Sequence, residues 1–540
     1  MKKIFFIALV LTGFHAFSQN PYFEISKQME IYNEALKKLS TNYIDEINFG
    51  DLMQKNTKRM LNSLDRFTTF YDEQGILNQR MRQEGHFGGL GISISDKDSL
   101  LLITDVFINT PAQKQDLKIG DKIISINGKS VKEMEKGLAS KLLRGPKGSE
   151  VSLQIQRNGK LINKKIQRDD IALDAVTSTA MDGDIGYIRF VKFNQKASSQ
   201  VKKAVLDLKE KGAKKLIIDV RGNPGGLLNE VVKIVNFFIP KGKTVVTTKG
   251  RFEKYNKTYA TKNESLDEEI PLVILVNNRS ASASEILSGA LQDYDRAVII
   301  GDTTYGKGLV QRTYKLKYGT YMKQTISKYY IPSGRLIQKI DYWHRDKNGK
   351  PTLLKDHEQS KEYYTVNGRK VYNLGGVIPD IVMEEGVDNS LIRDAVKKNY
   401  IFDFVTSYYY SHPVPQTYEE YSFPQGMANQ FIDYLKSSGK SPVSSGEALV
   451  AKAYEKAKKE KQPENVLKKY KEILEAYQQA DKEILQKYAP YIEYVTGLDL
   501  ANRYFFEEGK TLYKMQKDKV IQKAKEILNN ETEYKRILNK

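Results

Sequence analysis

The chain has 540 residues, of which 40% are hydrophobic and 28% charged, a composition typical of a folded protein with about three or four domains. It has no cysteine, which excludes disulfides, thiol catalysis and cysteine-rich zinc sites. The formal net charge of +20 comes from lysines that are spread along the chain and alternate with glutamates, so we expect mainly solvated helix surfaces and no nucleic-acid partner. The alternative is a salt-dependent attraction to acidic proteins or anionic envelope surfaces. The five histidines show no close metal-ligand spacing, and we therefore expect no metal and no cofactor.

Residues 1–18 have the pattern of a secretory signal peptide. Two lysines precede the apolar run 4–11, and Ala16 and Ser18 supply small residues at the spacing of a cleavage site. The run is too short for a permanent anchor, and no later stretch approaches the ~20 apolar residues that a membrane helix needs. We therefore expect a protein that is periplasmic or otherwise exported, with no integral membrane segment.

The next part of the chain changes from helical to β-rich. Apolar residues recur at helical spacing in residues 19–84, as at Ile31 and Ala35, which predicts a helical N-terminal region. Residues 85–170 contain short β runs bounded by glycines, which predicts a compact β-rich module with one helix at 131–143.

Residues 171–385 alternate between strands and helices, which predicts a largely parallel sheet covered by helices. The charged stretch 341–372 interrupts this alternation and is interpreted as an inserted hairpin or loop. Residues 386–540 are predicted to form a helical C-terminal domain. The predicted fold class is therefore a multidomain α/β protein with an additional β-rich module. The predicted core strands are 185–190, 216–220, 272–276 and 297–300, and the predicted helices are 198–211, 227–238 and 283–292.

Ser282 is the candidate nucleophile. The apolar strand 272–276 leads into a turn, and Ser282 then occupies the N-cap of the next helix, with Glu285 completing a capping box. A structural cap is one interpretation of this pattern, because serine is common at helix N-termini. The functional interpretation is that the free N–H groups and the helix dipole stabilise an oxyanion, with the Ala283 N–H as first donor.

The glycine turn 222–226 could supply a second oxyanion donor through Gly225 or Gly226. It follows the strand 216–220, and neighbouring strand-to-helix turns of a parallel sheet meet at one edge, where ligands bind. A tight turn that merely requires positive φ explains the same glycines equally well.

Lys307 is the candidate base, because a serine needs a proton acceptor within hydrogen-bond reach. Glycines flank it on both sides and permit a close approach of the backbone. To act as a base its ammonium must lose a proton near neutral pH, which requires an apolar pocket away from carboxylates. Gln311 lies four residues further along a predicted strand, so its neutral amide could orient the lysine.

The segment 301–307 also matches the spacing of a nucleotide-binding P-loop. However, Gly308 replaces the serine or threonine that binds Mg²⁺, and the next residues alternate like a strand where a P-loop requires a helix. Nucleotide binding is therefore the least favoured function.

The β-rich module has a glycine loop at Gly89, Leu90, Gly91 and Ile92. Such a loop can hold the terminal carboxylate of a peptide that adds to the sheet as an extra strand, or it can be a plain turn. Arg144 is either a surface turn residue or a contact to that ligand.

Taken together, these motifs resemble the carboxyl-terminal processing, or tail-specific, serine peptidases, which carry an embedded PDZ domain. The match runs from about residue 63 to residue 383. Its motifs, in order, are Ser63-Leu64-Asp65, Gly89-Leu90-Gly91-Ile92, Ile119-Gly120-Asp121, Ile126-Asn127-Gly128, 219–226, 280–285, 304–311, 332–335 and 376–381.

The resemblance implies a PDZ-like domain at 85–170 and a serine peptidase core at 171–385. It also implies the roles of the site residues: Ser282 is the nucleophile, Lys307 the general base, Gln311 its orienting partner, and Ala283 with Gly225 or Gly226 forms the oxyanion hole. Members of the family cut proteins after recognising an apolar C-terminal tail through the PDZ domain. The long helical tail resembles that of the larger bacterial members, which leaves contact with an adaptor or a second copy open.

The leading hypothesis is an exported serine endopeptidase that forms an acyl-enzyme on a Ser-Lys dyad. The alternative is a non-catalytic PDZ scaffold that binds protein C-termini and keeps the peptidase fold as a platform.

Overall fold

The computed structural model describes residues 21–97, 100–135, 137–356, 359–373, 375–384, 386 and 388–540. The predicted signal peptide, residues 1–18, lies outside the described residues. The chain divides into a small unit that ends at Phe70 and a large unit from Tyr71 to the C-terminus. In the part that is described, no helix is long and apolar enough to cross a membrane.

The small unit is helical, as predicted, with α1 (Pro21–Asn42) and α2 (Phe49–Asn62). Asn48 caps α2, because its side-chain oxygen accepts the backbone N–H three residues further on at 3.1 Å. The buried Asp65 carboxylate then accepts the N–H groups two and three residues further on at 2.7 and 2.8 Å, which fixes the turn that follows the helix. A short strand, β1 (Thr69–Tyr71), follows.

The large unit begins with α3 (Glu73–Glu84), which belongs to the predicted helical region, and continues into the predicted β-rich module. Its main sheet is antiparallel, with strand order β3-β4-β5-β7-β8, and β2 pairs separately with β9. Ile103, Ile123, Ile155 and Ile166 are fully buried and form the centre of its core. The elements are α3 (Glu73–Glu84), β2 (His86–Gly89), β3 (Ile92–Lys97), β4 (Leu100–Val106), α4 (Pro111–Lys114), β5 (Lys122–Ile126), β6 (Lys129–Ser130), α5 (Leu138–Leu143), β7 (Glu150–Arg157), β8 (Lys160–Gln167) and β9 (Asp169–Ala172).

The prediction of one continuous helix at 131–143 is wrong. The segment forms a 3₁₀ turn at Val131–Glu133 and the shorter helix α5 from Leu138. Gly137 precedes α5 with φ of 89°, a left-handed conformation that breaks a continuous helix.

The core sheet of the large unit has strand order β10-β11-β12-β15-β16-β23. Strand β10 runs antiparallel to β11, and the strands from β11 to β23 are parallel, as the alternating pattern predicted. The elements are β10 (Val176–Asp182), β11 (Ile185–Phe190), α6 (Ala197–Glu210), β12 (Lys215–Asp219), α7 (Leu228–Val235), β13 (Thr244–Gly250), β14 (Lys257–Ala260), β15 (Leu272–Val276), α8 (Ala283–Asp293), β16 (Val298–Gly301), β17 (Leu309–Lys315), β18 (Tyr321–Tyr330), β19 (Ile340–Arg345), β20 (Pro351–Leu353), β21 (Glu362–Tyr364), β22 (Lys370–Tyr372) and β23 (Ile381–Val382).

Strands β12, β15 and β16 are neighbours in this sheet and point in one direction. The turns that follow them therefore meet at one edge, as expected for the carboxyl ends of parallel strands. These turns contain the glycines 222–226, Ser282 and Lys307.

A second, antiparallel arrangement carries the strand after Lys307. β17 pairs with β18, β18 with β13, and β13 with β14. The predicted insertion at 341–372 is confirmed as a hairpin of β19 and β20 followed by a hairpin of β21 and β22.

The C-terminal part is helical, as predicted, but its last helices also cover one face of the core sheet. Ile521 and Ala524 of α15 are fully buried against Ile217 and Val298 of the core sheet. Helices α6, α7 and α8 cover the opposite face. The helices are α9 (Ser390–Lys397), α10 (Tyr400–Ser411), α11 (Met427–Ser437), α12 (Ser445–Lys459), α13 (Glu464–Lys487), α14 (Ala489–Lys517), α15 (Lys519–Asn529) and α16 (Glu531–Ile537).

Candidate active site

Ser282 lies where the buried strand β15 meets helix α8. It is the N-cap of α8, as predicted, and it is half-buried. Its φ of 56° is rare for a residue other than glycine and is paired with a ψ of −112°, outside the ordinary left-handed region. Strain of this kind is typical of a serine held on a sharp strand-to-helix turn for nucleophilic attack.

The turn before Ser282 is bound to the turn that follows β12. Fully buried Ser280 accepts the Asn277 N–H at 3.0 Å and donates to the Val220 carbonyl at 2.8 Å. The Asn277 side-chain oxygen in turn accepts the Gly222 N–H at 2.9 Å. The serine turn and the glycine turn are therefore held as one rigid piece.

Glu285 does more than complete the predicted capping box. Its Oε2 accepts the N–H of Ser282 at 2.7 Å and the N–H of Lys307 at 2.9 Å. Its Oε1 accepts the Gly306 N–H at 2.6 Å and the Thr304 hydroxyl at 2.7 Å. Burial raises the pKa of this carboxyl to about 7. The four hydrogen bonds favour the ionised form and partly oppose this increase.

Tyr329 on β18 makes a second bridge between the same two segments. Its hydroxyl lies 3.1 Å from the Ser282 carbonyl and 2.5 Å from the Lys307 carbonyl. Burial and the nearby Glu285 raise the pKa of this phenol well above its usual value, so it remains a donor throughout the neutral pH range.

Lys307 is half-buried, and its ammonium donates to Gln311 Oε1 at 2.8 Å. The amide nitrogen of Gln311 lies 3.3 Å from Thr325 Oγ1 on β18, which fixes the orientation of the amide. The predicted contact between Lys307 and Gln311 is therefore present. A bulge in the pairing with β18 lies between Val310 and Gln311, at the base of this contact.

The predicted oxyanion turn reaches the serine. A Cβ built on Gly225 would lie 2.5 Å from the Ala281 carbonyl oxygen, 2.7 Å from the Ala283 nitrogen and 2.9 Å from the Ser282 Cβ. The Gly225 N–H donates to Asn223 Oδ1 at 2.9 Å, which holds the turn. The N–H groups of Gly226 and Ala283 have no hydrogen-bond partner in the described part of the chain.

Replacing Gly225 by alanine is expected to reduce kcat about 10²-fold to 10³-fold, because a displaced turn would move the predicted donor Gly226 away from Ser282, and losing one oxyanion-hole donor usually has an effect of this size. The added Cβ would collide with the backbone around Ser282, and the φ of 91° strains any other residue. Gly242→Ala is the matched control, because its φ is 83° and nothing lies within 4 Å of the added Cβ. Peptide hydrolysis and thermal unfolding of both variants check the prediction; equal activities would contradict it.

A buried charge cluster lies beneath the glycine turn and links it to the C-terminal helices. Arg221 contacts Asp219 at 2.7 Å and Asp518, the N-cap of α15, at 3.1 Å. Burial opposes the ionisation of Asp219, but Arg221 and Arg189 outweigh it and hold its pKa well below the usual range. Lys514 lies beside the same charged groups, and burial lowers its pKa to about 8.

Of the peptide-binding residues predicted in the β-rich module, Leu90, Gly91 and Ile92 lie at an open edge of its sheet. β3, which begins at Ile92, is an edge strand, and the N–H groups of Leu90 and Gly91 are unpaired within the described residues. Gly89 belongs to β2 and pairs with β9, so the loop is shorter than predicted. The Arg144 guanidinium donates to Asn78 of α3 at 2.7 Å and lies 5.6 Å from the centre of the Phe87 ring.

The P-loop alternative fails on geometry. The segment after Lys307 is strand β17, as predicted, where a nucleotide-binding loop requires a helix.

Sequence reasoning missed part of the frame around Ser282 and Lys307. Glu285 was assigned only a capping role, although the Ser-x-x-Glu spacing did identify it as a partner of the serine. Thr304 was identified only as the first residue of the motif 304–311, and Tyr329 was not identified. Their role depends on loops and strands that meet only in the folded chain.

The regions of the chain match known families. Residues 88–167 match the PDZ domain, residues 184–342 match peptidase family S41, and residues 390–528 match the C-terminal helical domain of a probable PDZ-protease. The chain is 35% identical over 328 residues to the carboxy-terminal-processing protease of Bartonella bacilliformis, covering 60% of this chain and 74% of that protein. It is 34% identical over 309 residues to the carboxy-terminal processing protease CtpA of Bacillus subtilis, covering 57% and 66%.

Among solved structures, the chain is similar to the photosystem II D1 C-terminal processing protease. The identity is 24%, the TM-score is 0.37, and the match covers 66% of this chain and 86% of that one.

A PDZ domain joined to an α/β core with a serine at a strained strand-to-helix turn defines a PDZ-containing serine-type peptidase. The chain belongs to peptidase family S41, the carboxy-terminal processing proteases. This membership favours an enzyme over the non-catalytic scaffold that the sequence left open.

Proposed function

We propose that the protein is an exported endopeptidase that recognises protein C-terminal tails through its PDZ domain and cleaves them by an acyl-enzyme mechanism on Ser282 and Lys307. The observation that carries this proposal is the shared acceptor Glu285 Oε2, which binds the backbone N–H of both residues. A carboxylate that joins the segments of nucleophile and base sets their separation, which is what a catalytic dyad requires.

Lysine is the base that the chain can offer here. Cysteine is absent from the sequence. Of the histidines that the structure describes, His86 contacts Asp170, His344 contacts Asp341 and His412 contacts the Tyr408 carbonyl, all away from Ser282.

In the first step, neutral Lys307 Nζ takes the proton of Ser282 Oγ as the oxygen attacks the carbonyl carbon of the scissile peptide bond. The carbonyl oxygen becomes an oxyanion, which the N–H of Ala283 and the Gly225-Gly226 turn stabilise. Gly226 supplies the N–H of that turn that has no partner within the described residues. Gly225 has no Cβ, which permits the turn to lie close to Ser282.

The tetrahedral intermediate then collapses as Lys307 returns the proton to the leaving amine. This step releases the C-terminal fragment and leaves an ester on Ser282. Lys307 next takes a proton from water as the water oxygen attacks the ester carbonyl, and it returns that proton to Ser282 Oγ as the C–O bond breaks and the new carboxyl group is released. Gln311 holds the lysine through a neutral amide, so it orients the amine without adding a negative charge that would favour the ammonium.

The Lys307 ammonium donates to Gln311. Hydrogen bonds between nucleophile and base commonly tighten when substrate binds. In the proposed mechanism, substrate binding aligns Nζ with Oγ for the proton transfer.

The PDZ domain supplies the recognition of the tail. The unpaired N–H groups of Leu90 and Gly91 can bind a terminal carboxylate, and the open edge of β3 from Ile92 can pair with the tail as an added strand. Apolar tails suit this mode, because alternate side chains of the added strand face the domain. An adaptor or a second copy of the chain remains a further partner to test.

A peptide with an apolar free-acid C-terminus is expected to be cleaved about tenfold faster, in kcat/KM, than the same peptide with a C-terminal amide, because charge-assisted hydrogen bonds to a carboxylate are the stronger kind. Both rates are measured at low substrate concentration by mass spectrometry, with Ser282→Ala as the control for contaminating activity. Equal rates would contradict tail recognition, and turnover by Ser282→Ala would contradict the assignment of the nucleophile.

A further inference from the structure

A groove of about 490 Å³ opens beside the proposed dyad. One end is lined by Gln311, which holds the Lys307 ammonium, and by Leu227, which follows the oxyanion turn. Val310 and Ile326 continue an apolar floor along β17 and β18. A polypeptide bound across Ser282 therefore has direct access to this groove.

The rim of the groove is strongly basic. Lys254, Lys257 and Arg312 line it, and all three are exposed. None of them forms an ion pair with a carboxylate within the described residues. The Lys254 ammonium lies 5.2 Å from the centre of the Tyr255 ring and the Arg312 guanidinium 5.6 Å from that of Tyr314, contacts that leave the positive charges in place.

The acidic residue that lines this groove, Glu230, is already neutralised. It is buried, and its carboxylate pairs with Lys233 at 2.7 Å and accepts the Ser198 N–H at 2.8 Å. These partners outweigh the effect of burial and lower its pKa, so it stays ionised and paired. The groove therefore presents an excess of positive charge on the same surface as Gln311, the residue that holds the proposed base.

We propose that this groove binds an acidic segment of the substrate, adjacent to the bond that is cut. The inference rests on the proposed function, which places the substrate across Ser282. The apolar floor takes the aliphatic part of the bound side chains, and Lys254, Lys257 and Arg312 pair with the carboxylates. The preferred substrates are thus proteins whose C-terminal region carries aspartate or glutamate close to the cleavage point.

The test measures binding by the Ser282→Ala variant, so that it does not depend on turnover. The probes are fluorescent peptides of one apolar sequence, with three Glu or three Gln placed on the N-terminal side of an Ala-Ala bond, and a second pair with the same change on the C-terminal side. All are C-terminally amidated, which removes the carboxylate that the PDZ domain would bind. Dissociation constants are read from fluorescence anisotropy.

In one of the two pairs the Glu peptide is expected to bind about fivefold to tenfold more tightly than the Gln peptide, the modest effect of several exposed ion pairs acting together. The preference should disappear when salt is raised from about 0.01 M to about 1 M, where the screening length falls from ~30 Å to ~3 Å. It should also disappear in the triple variant Lys254→Gln, Lys257→Gln, Arg312→Gln.

The matched control is the triple variant Lys452→Gln, Lys458→Gln, Lys459→Gln on α12, which removes the same charge from exposed positions outside the groove. This control should keep the preference. Equal binding of Glu and Gln peptides in both pairs, or a preference that survives loss of the groove cations, would overturn the proposal. Absence of peptide cleavage by the unmodified enzyme would count against the proposed function instead, because the binding measurement is independent of it.

Discussion

Lys307→Ala is expected to lower kcat by about 10³-fold to 10⁴-fold, because the serine then lacks the group that takes its proton. The half-buried lysine side chain contributes little to the core, so the melting temperature should change little. Peptide hydrolysis under saturating substrate and a thermal unfolding curve measure the two quantities. Ser282→Ala should lose as much, and the double variant no more than either single one, since the two residues act as a unit.

Lys307→Arg is the decisive control for the role of the lysine. It keeps a cation at nearly the same place, but a guanidinium does not lose its proton at any pH that the protein survives. If Lys307 is the base, the arginine variant should be as inactive as the alanine variant. An arginine variant with substantial turnover would show instead that the position needs only a positive charge.

The second large effect is expected at Glu285. Glu285→Ala leaves the N–H groups of Ser282, Gly306 and Lys307 and the Thr304 hydroxyl without their acceptor in a buried place. A buried donor without a partner costs about 1–3 kcal/mol, so the free energy of unfolding should fall by about 3 kcal/mol or more. Activity should also be lost, because the segments of nucleophile and base are no longer tied together. Denaturant unfolding and peptide hydrolysis measure both effects.

Two variants make the Glu285 experiment specific. Glu285→Gln keeps the shape and one acceptor oxygen, so it should lie between alanine and the natural residue in both stability and activity. Glu475→Ala removes an exposed glutamate from helix α13 and should change neither. If the Glu285→Ala variant keeps full activity, the carboxylate bridge does not position the dyad.

The pH dependence of stability gives an independent test of the environment of Glu285. The folded pKa of Glu285, about 7, lies above its ordinary value of 4.5, so the folded state holds the proton more tightly than the unfolded chain does. The contribution of this group is therefore complete below about pH 4.5 and is lost as the pH rises toward 7. Relative to Glu285→Gln, the natural protein should lose stability over that interval, with the slope read from unfolding at several pH values.

The hydrophobic and turn patterns of the sequence predicted the strands and turns around Ser282 and Lys307 well where those patterns were strong. The strand Leu272–Val276 was predicted with the bounds that it has, because a continuous apolar run bounded by turn residues is distinctive of a buried parallel strand. The single helix predicted at 131–143 failed because the left-handed Gly137 outweighed an otherwise helical pattern. The contact between Lys307 and Gln311 was foreseen from a spacing of four along a strand, although the strand is bulged there.

By itself, the sequence determined which residues could carry the chemistry. The absence of cysteine, the capped serine after a buried strand, and the lysine between glycines pointed to Ser282 and Lys307. Hydrophobic periodicity and helix-capping signals depend on neighbouring residues, so a single sequence is enough to detect them.

Only the tertiary structure decided how these residues are held and what surrounds them. Glu285 and Tyr329 join the serine to the lysine, and α15 covers the second face of the core sheet although it lies more than two hundred residues after Ser282. The exposed cations of the groove come from separate strands and loops that are distant in the sequence. Such contacts depend on which surfaces are buried against each other, and burial is a property of the whole fold that no local pattern specifies.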